Sequence, residues 1–167
     1  MQRSFDLIED SLNGSAQTHR LRFATERAEN YVSDLGTAIL KLARELIERL
    51  TRDGNVKWYL SLSMVFHKAA DTNTITDPPV HFLTEPIAST SAQPLELQLR
   101  IALRRLWQEI DTYEENGSGW VVDHLRELDV HVVSYDPLRA GVYLTLPQWL
   151  VRRQAVLNIR NLNDEDW

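Results

Sequence analysis

The chain contains no cysteine. Disulfides, cysteine-ligated zinc, iron–sulfur clusters and thiol nucleophiles are therefore excluded within it. Also missing is an apolar run of about 18 residues, the length that marks a membrane-spanning helix. The opening residues Met1-Gln2-Arg3-Ser4-Phe5-Asp6 lack the basic-then-apolar order of a secretory signal. These absences predict an intracellular protein, nuclear or cytoplasmic, with no membrane partner. Basic residues are the minority charge: 18 Lys and Arg against 24 Asp and Glu, a net charge of −6. A dominant positive field for general phosphate-backbone binding is thereby excluded, though a local basic patch is not. Internal repeats and low-complexity segments are absent too. What is present is ordinary for a globular chain: 43% hydrophobic and 25% charged over 167 residues, enough for one continuous core.

Periodicity supplies the elements. The first 17 residues read as a docked arm (Phe5, Leu7, Ile8, Leu12) followed by a turn at Asn13-Gly14-Ser15. His19, Leu21 and Phe23 alternate with Arg20 and Arg22, a half-buried strand. Leu35, Ile39, Leu42, Ala43, Leu46, Ile47 and Leu50 then recur every three to four residues. They predict a helix capped by Ser33 or Asp34 and stopped at Asp53-Gly54-Asn55. Trp58, Leu60, Leu62, Met64 and Phe66 form one face of a central strand. A polar loop from Asp71 to Pro79 leads to a returning antiparallel strand, Val80 to about Pro86. Leu99, Ala102, Leu103, Leu106, Ile110 and Tyr113 mark a second helix, Pro94 to Glu115, with Ser91 as cap. Trp120–Leu128 is ambiguous between strand and short helix, and Val130–Tyr135 reads as a strand. The order βαββαβ predicts an α+β, ferredoxin-like two-layer sandwich. Residues 1–137 are expected to form the core domain with its arm. Residues 138–167 are expected to add a C-terminal strand/helix extension packed on the same domain.

Residues capable of chemistry are scattered. The weak metal candidates are His67 and His81, on strands expected to pair; a replication-initiator nickase would want two histidines on one strand and a free helical tyrosine, whereas Tyr113 lies on the buried stripe. Carboxylates are mostly explained by helix faces, and Asp164-Glu165-Asp166 reads as a solvated terminus. Gly117-Ser118-Gly119-Trp120 follows a helix and lacks the lysine of a phosphate loop, so it reads as a helix stop leading to an anchored Trp120. Arg104-Arg105 and Arg152-Arg153, near Trp107 and Trp149, make either a stacking-and-phosphate surface or the basic outer faces of amphipathic helices. We expect no catalytic residues and no cofactor.

Several strings occur together in order. Trp58-Tyr59-Leu60-Ser61-Leu62 with Phe66-His67-Lys68 is followed by Asp77-Pro78-Pro79-Val80-His81-Phe82 and Gly117-Ser118-Gly119-Trp120. Leu128-Asp129-Val130-His131 with Tyr135-Asp136-Pro137-Leu138, Gly141-Val142-Tyr143-Leu144-Thr145-Leu146-Pro147, and Asn158-Ile159-Arg160-Asn161 with Asp164 complete the set. Over residues 5–166 this pattern resembles the N-terminal region of proteins of Maverick/Polinton-type DNA transposons and related viruses, which carry or accompany a family B DNA polymerase. The resemblance implies a piece of a replication or integration protein, either excised from a longer chain or standing alone. It carries over no catalytic carboxylate to any residue here. The expectation is a non-catalytic accessory domain with a protein partner, with DNA contact open and a homodimer open. The first surface to map is Gly117–Trp120 with the turn Tyr135–Leu138. The alternatives are a single-stranded nucleic-acid-binding module and a metal-dependent nuclease.

Overall fold

The computed structural model describes residues 3–24, 30–90, 94–116 and 119–134. The expectations placed on Gly117, Ser118, Tyr135, Arg152, Arg153 and the 138–167 extension lie outside these residues. The protein is α+β: an antiparallel sheet with helices on one of its faces. The strands are β1 (Asp6–Ser11), β2 (Ala16–Arg22), β3 (Val56–Lys68), β4 (Asp71–Ile75), β5 (Val80–Leu83), β6 (Ile87–Ser89) and β7 (Trp120–Ser134). The helices are α1 (Tyr31–Thr37), continued through a π-helical stretch (Ala38–Ala43) into α2 (Arg44–Thr51), and α3 (Leu95–Glu115).

Two long strands form the centre. β3 has 13 residues and β7 has 15, and they pair along nearly their whole length, from Val56↔Ser134 to Lys68↔Trp120. The sheet runs β1-β2-β7-β3-β4, and β5 and β6 also line the outer edge of β3. This order differs from the ferredoxin-like expectation. There, the first strand of the βαββαβ unit would lie between the last and the third. Here the last strand, β7, lies between β2 and β3. Local periodicity sets which segments become strands; partner choice is settled by long-range pairing, and β7 offers both its edges.

Three segments differ from the periodicity reading. The arm is an edge strand, since β1 pairs with β2 while leaving Leu7, Ile8 and Leu12 exposed. The polar loop contains β4, which hydrogen-bonds to the end of β3 although all five of its side chains are exposed. The ambiguous segment before Val130 belongs to one continuous β7.

The alternation in β3 turns Trp58, Leu60, Leu62, Met64 and Phe66 into the helix-facing core. Leu35, Ile39, Leu46 and Ile47 meet them from the first helical unit, and Leu99, Leu103, Leu106 and Ile110 from α3. Each fully buried aliphatic side chain of this kind stabilises the fold by about 1.5–3 kcal/mol. Helix starts are set by short-range bonds. Asn30, rather than Ser33 or Asp34, caps α1, its Oδ1 accepting from the Ser33 N–H at 3.4 Å. Pro94 stands at the N-cap of α3, and one turn further on Gln98 donates to the Ala88 carbonyl of β6 at 3.0 Å. At the other end of α3, Tyr113 packs on Phe66 with ring centroids 4.4 Å apart, and Glu114 accepts the Val122 N–H at 3.0 Å. Those contacts hold α3 on the sheet at both ends.

Candidate functional site

The side of the sheet away from the helices carries polar and ionisable groups. Arg20 on β2 grips Asp129 on β7 with two bonds, Nε to Oδ1 at 2.8 Å and Nη2 to Oδ2 at 2.9 Å. That hydrogen bonding, partly offset by burial, raises the guanidinium pKa above its ordinary value. Glu127 lies 3.5 Å from the same Nε. One register step along, His131 stacks on Tyr59 with centroids 4.5 Å apart, and its Nδ1 is 3.1 Å from Thr18 Oγ1. Further down β7 the strand bulges twice, skipping Arg126 and then Asp123 in its pairing with β3. The second bulge lets Asp123 reach two imidazoles: His67 Nδ1 at 2.8 Å and His124 Nδ1 at 2.6 Å.

A carboxylate shared by two ring nitrogens orients both rings and holds β3 to β7 where the ladder is broken. Among the described residues, no group of three or more His, Asp or Glu is arranged to hold a metal ion. Nor does His81 join the two imidazoles. β5 places His81 opposite Ser63, and β4 places Ile75 opposite His67, so the two histidines stand four residues apart along β3. At strand rise that is roughly 13 Å. The pair expected from the sequence is thus not formed, and the ring of Tyr113 packs against Phe66 and Phe82, on the stripe where the sequence places it.

Of the expected binding residues, Gly119 adopts a φ of +75°, which favours glycine, and turns the chain into Trp120. Trp120 is half-buried against the core, with the Lys68 ammonium 4.4 Å from its ring centroid. Arg104 and Arg105 project from α3 into solvent. Arg105 lies 3.5 Å from Glu109, while Arg104 has no acidic partner among the described residues. Trp107 beside them is half-buried against the core, with its Nε1 buried. Trp120 and Arg105 thus have separate contacts, Lys68 for the one and Glu109 for the other.

The periodicity reading missed Leu97 and Ile101. Both are 56% exposed, four residues apart on the outer face of α3 and next to Arg100 and Arg104. Their signal was present in the sequence, as two aliphatic residues out of phase with the Leu99–Leu106 stripe. No model of a known protein family matches the chain, and no curated protein matches it either.

Proposed function

We propose that this chain is a non-catalytic accessory domain of a mobile-element DNA replication or integration protein, acting through protein contacts. The observation that carries the contact part is the outer face of α3, where Leu97 and Ile101 are held in solvent on a helix anchored to the sheet at both ends. Exposed aliphatic groups beside arginines are what protein interfaces use, since arginine is enriched there and the apolar groups supply burial. The mobile-element part is supported by the ordered strings from Trp58 to Asp164. Of these, the segments Trp58–Lys68, Asp77–Phe82 and Leu128–His131 lie largely on the central strands and their hairpin.

Contact with nucleic acid is the weaker reading. Bases stack on open aromatic faces, and Trp107, the aromatic nearest the two arginines in sequence, is half-buried against the core. The test is association with the polymerase-type protein encoded by the same element. Purified together, the two are expected to elute as one complex, and Leu97→Asp/Ile101→Asp is expected to release it. A genetic neighbourhood lacking such a protein, or purified components that stay separate, refutes the reading.

A further inference from the structure

The outer face of α3 is divided in charge along its length. Its N-terminal half carries Leu97 and Ile101 beside Arg100, Arg104 and Arg105. Its C-terminal half exposes Asp111 and Glu115. Within the N-terminal half, Glu96 pairs with Arg100 at 3.1 Å and Glu109 lies near Arg105 at 3.5 Å, while Arg104 keeps its charge without an acid among the described residues. The result is an aliphatic pair beside one arginine, Arg104, that has no acidic partner among the described residues, on a chain whose net charge is −6.

From this we infer that the N-terminal half of α3 docks an acidic amphipathic helix of a protein partner, an inference that rests on the accessory-domain reading. The spacing of Leu97 and Ile101 is one helical turn, so their side chains form a short ridge that fits between the apolar residues of a second helix. Carboxylates flanking that helix's apolar stripe would meet Arg104 and, by exchange with its intramolecular acid, Arg100. A second copy of this chain fits poorly. In a two-fold arrangement the same patch meets itself, so bringing Leu97 onto Ile101 of the partner copy also brings the Arg100 side chains together. Nucleic acid fits poorly as well, because aliphatic side chains gain little from unstacked bases, which stack on open aromatic faces.

The test uses the full chain and three fluorescein-labelled peptides of roughly 18 residues, about five helical turns. One has leucine at every third or fourth position with glutamate flanks; one replaces each glutamate by lysine; one scrambles the acidic peptide. Binding is read by fluorescence anisotropy at physiological salt. Only the ordered acidic peptide is expected to bind, and Ile101→Asp and Arg104→Glu are each expected to weaken it about ten-fold or more. Circular dichroism and thermal melts of both variants establish that they are folded, and Arg104→Glu should gain affinity for the lysine peptide. The inference is overturned if the acidic peptide does not bind, or if the scrambled peptide binds equally. It is equally overturned if single-stranded DNA displaces the peptide, or if the chain dimerises through this face in a manner abolished by Ile101→Asp. Should Leu97→Asp/Ile101→Asp release the polymerase-type protein while no acidic peptide binds, the accessory reading stands and this inference falls. Should the acidic peptide bind while no polymerase-type partner associates, the docking face stands and the mobile-element reading falls.

Discussion

The two faces of β3 are both buried, yet different forces hold them. Toward the helices, Trp58, Leu60, Leu62, Met64 and Phe66 contribute apolar area to one large cluster. On the opposite face Tyr59, Ser61, Ser63 and Val65 are buried too, but their neighbours across β7 are His131, Asp129, Glu127 and His124. Apolar burial is non-directional and tolerates small adjustments. Buried polar groups must each find a partner with correct geometry, so that face depends on register. The helix-facing side therefore supplies most of the stability, and the opposite side fixes which residue of β7 stands beside which residue of β3.

The largest effect is expected on the apolar face. Leu62 is fully buried between β7 and β5 and within the main cluster. Leu62→Ala should cost about 2–5 kcal/mol, from lost transfer energy plus the cavity left behind. Urea unfolding checks this, and a loss below about 1 kcal/mol would mean that the cluster repacks freely. On the polar face, Asp129→Ala leaves the Arg20 guanidinium, only 28% exposed, without its two short bonds. A loss of about 1.5–3 kcal/mol is expected, the range for hydrogen bonds to charged groups. The double variant Arg20→Met/Asp129→Leu should recover part of it, because the guanidinium is gone and Glu127, which loses Arg20, still has Arg22 at 3.7 Å. If the double variant is no better than Asp129→Ala, the pair stabilises in its own right and the contrast between the faces narrows.

A third expectation concerns an ionisable group on the helix-facing side. His19 on β2 sits opposite Val130 and is buried. Burial lowers its pKa, with help from the positive charge of Arg49 and against the pull of Asp10. The unfolded chain thus binds a proton more readily than the folded one once the pH falls below the ordinary imidazole value of about 6.5. Stability from this residue is present above that value and is lost as pH drops through it toward the lowered folded pKa. Urea midpoints measured between pH 8 and pH 5 should decline on the acid side, and His19→Gln should flatten the decline. An unchanged slope would show that other groups set it.

Much of this architecture was legible where order is local. The Leu35–Leu50 and Leu99–Tyr113 stripes and the Trp58–Phe66 alternation need only the period of one element, and each matches the buried set. Where two elements cooperate, the sequence was harder to read. Trp120–Leu128 was ambiguous because the bulges at Asp123 and Arg126 break the alternation that marks a strand. β4 is wholly exposed, so no apolar pattern announces it. Strand order, the separation of His67 from His81, and the meeting of His67 with Asp123 all depend on pairings between distant segments. Arg104 and Arg105 could be seen as a basic outer face from the helix alone, but Leu97 and Ile101 gain meaning only once the buried side is fixed.

The smallest effect sharpens that last point. If Leu97 and Ile101 are surface groups with no part in the core, removing their apolar character should leave the fold nearly untouched. Glutamine is the suitable replacement, being at least as good a helix former as isoleucine and close to leucine. Leu97→Gln/Ile101→Gln is expected to alter unfolding free energy by no more than about 0.5 kcal/mol, as for other exposed positions. The same pair of changes should abolish binding of the acidic helical peptide. A destabilisation as large as that of Leu62→Ala would instead place the two residues in the core network, and their exposure would no longer mark a docking face. Neutral stability joined to lost binding separates residues kept for contact from residues kept for folding, a distinction that burial alone suggests and only the paired measurement decides.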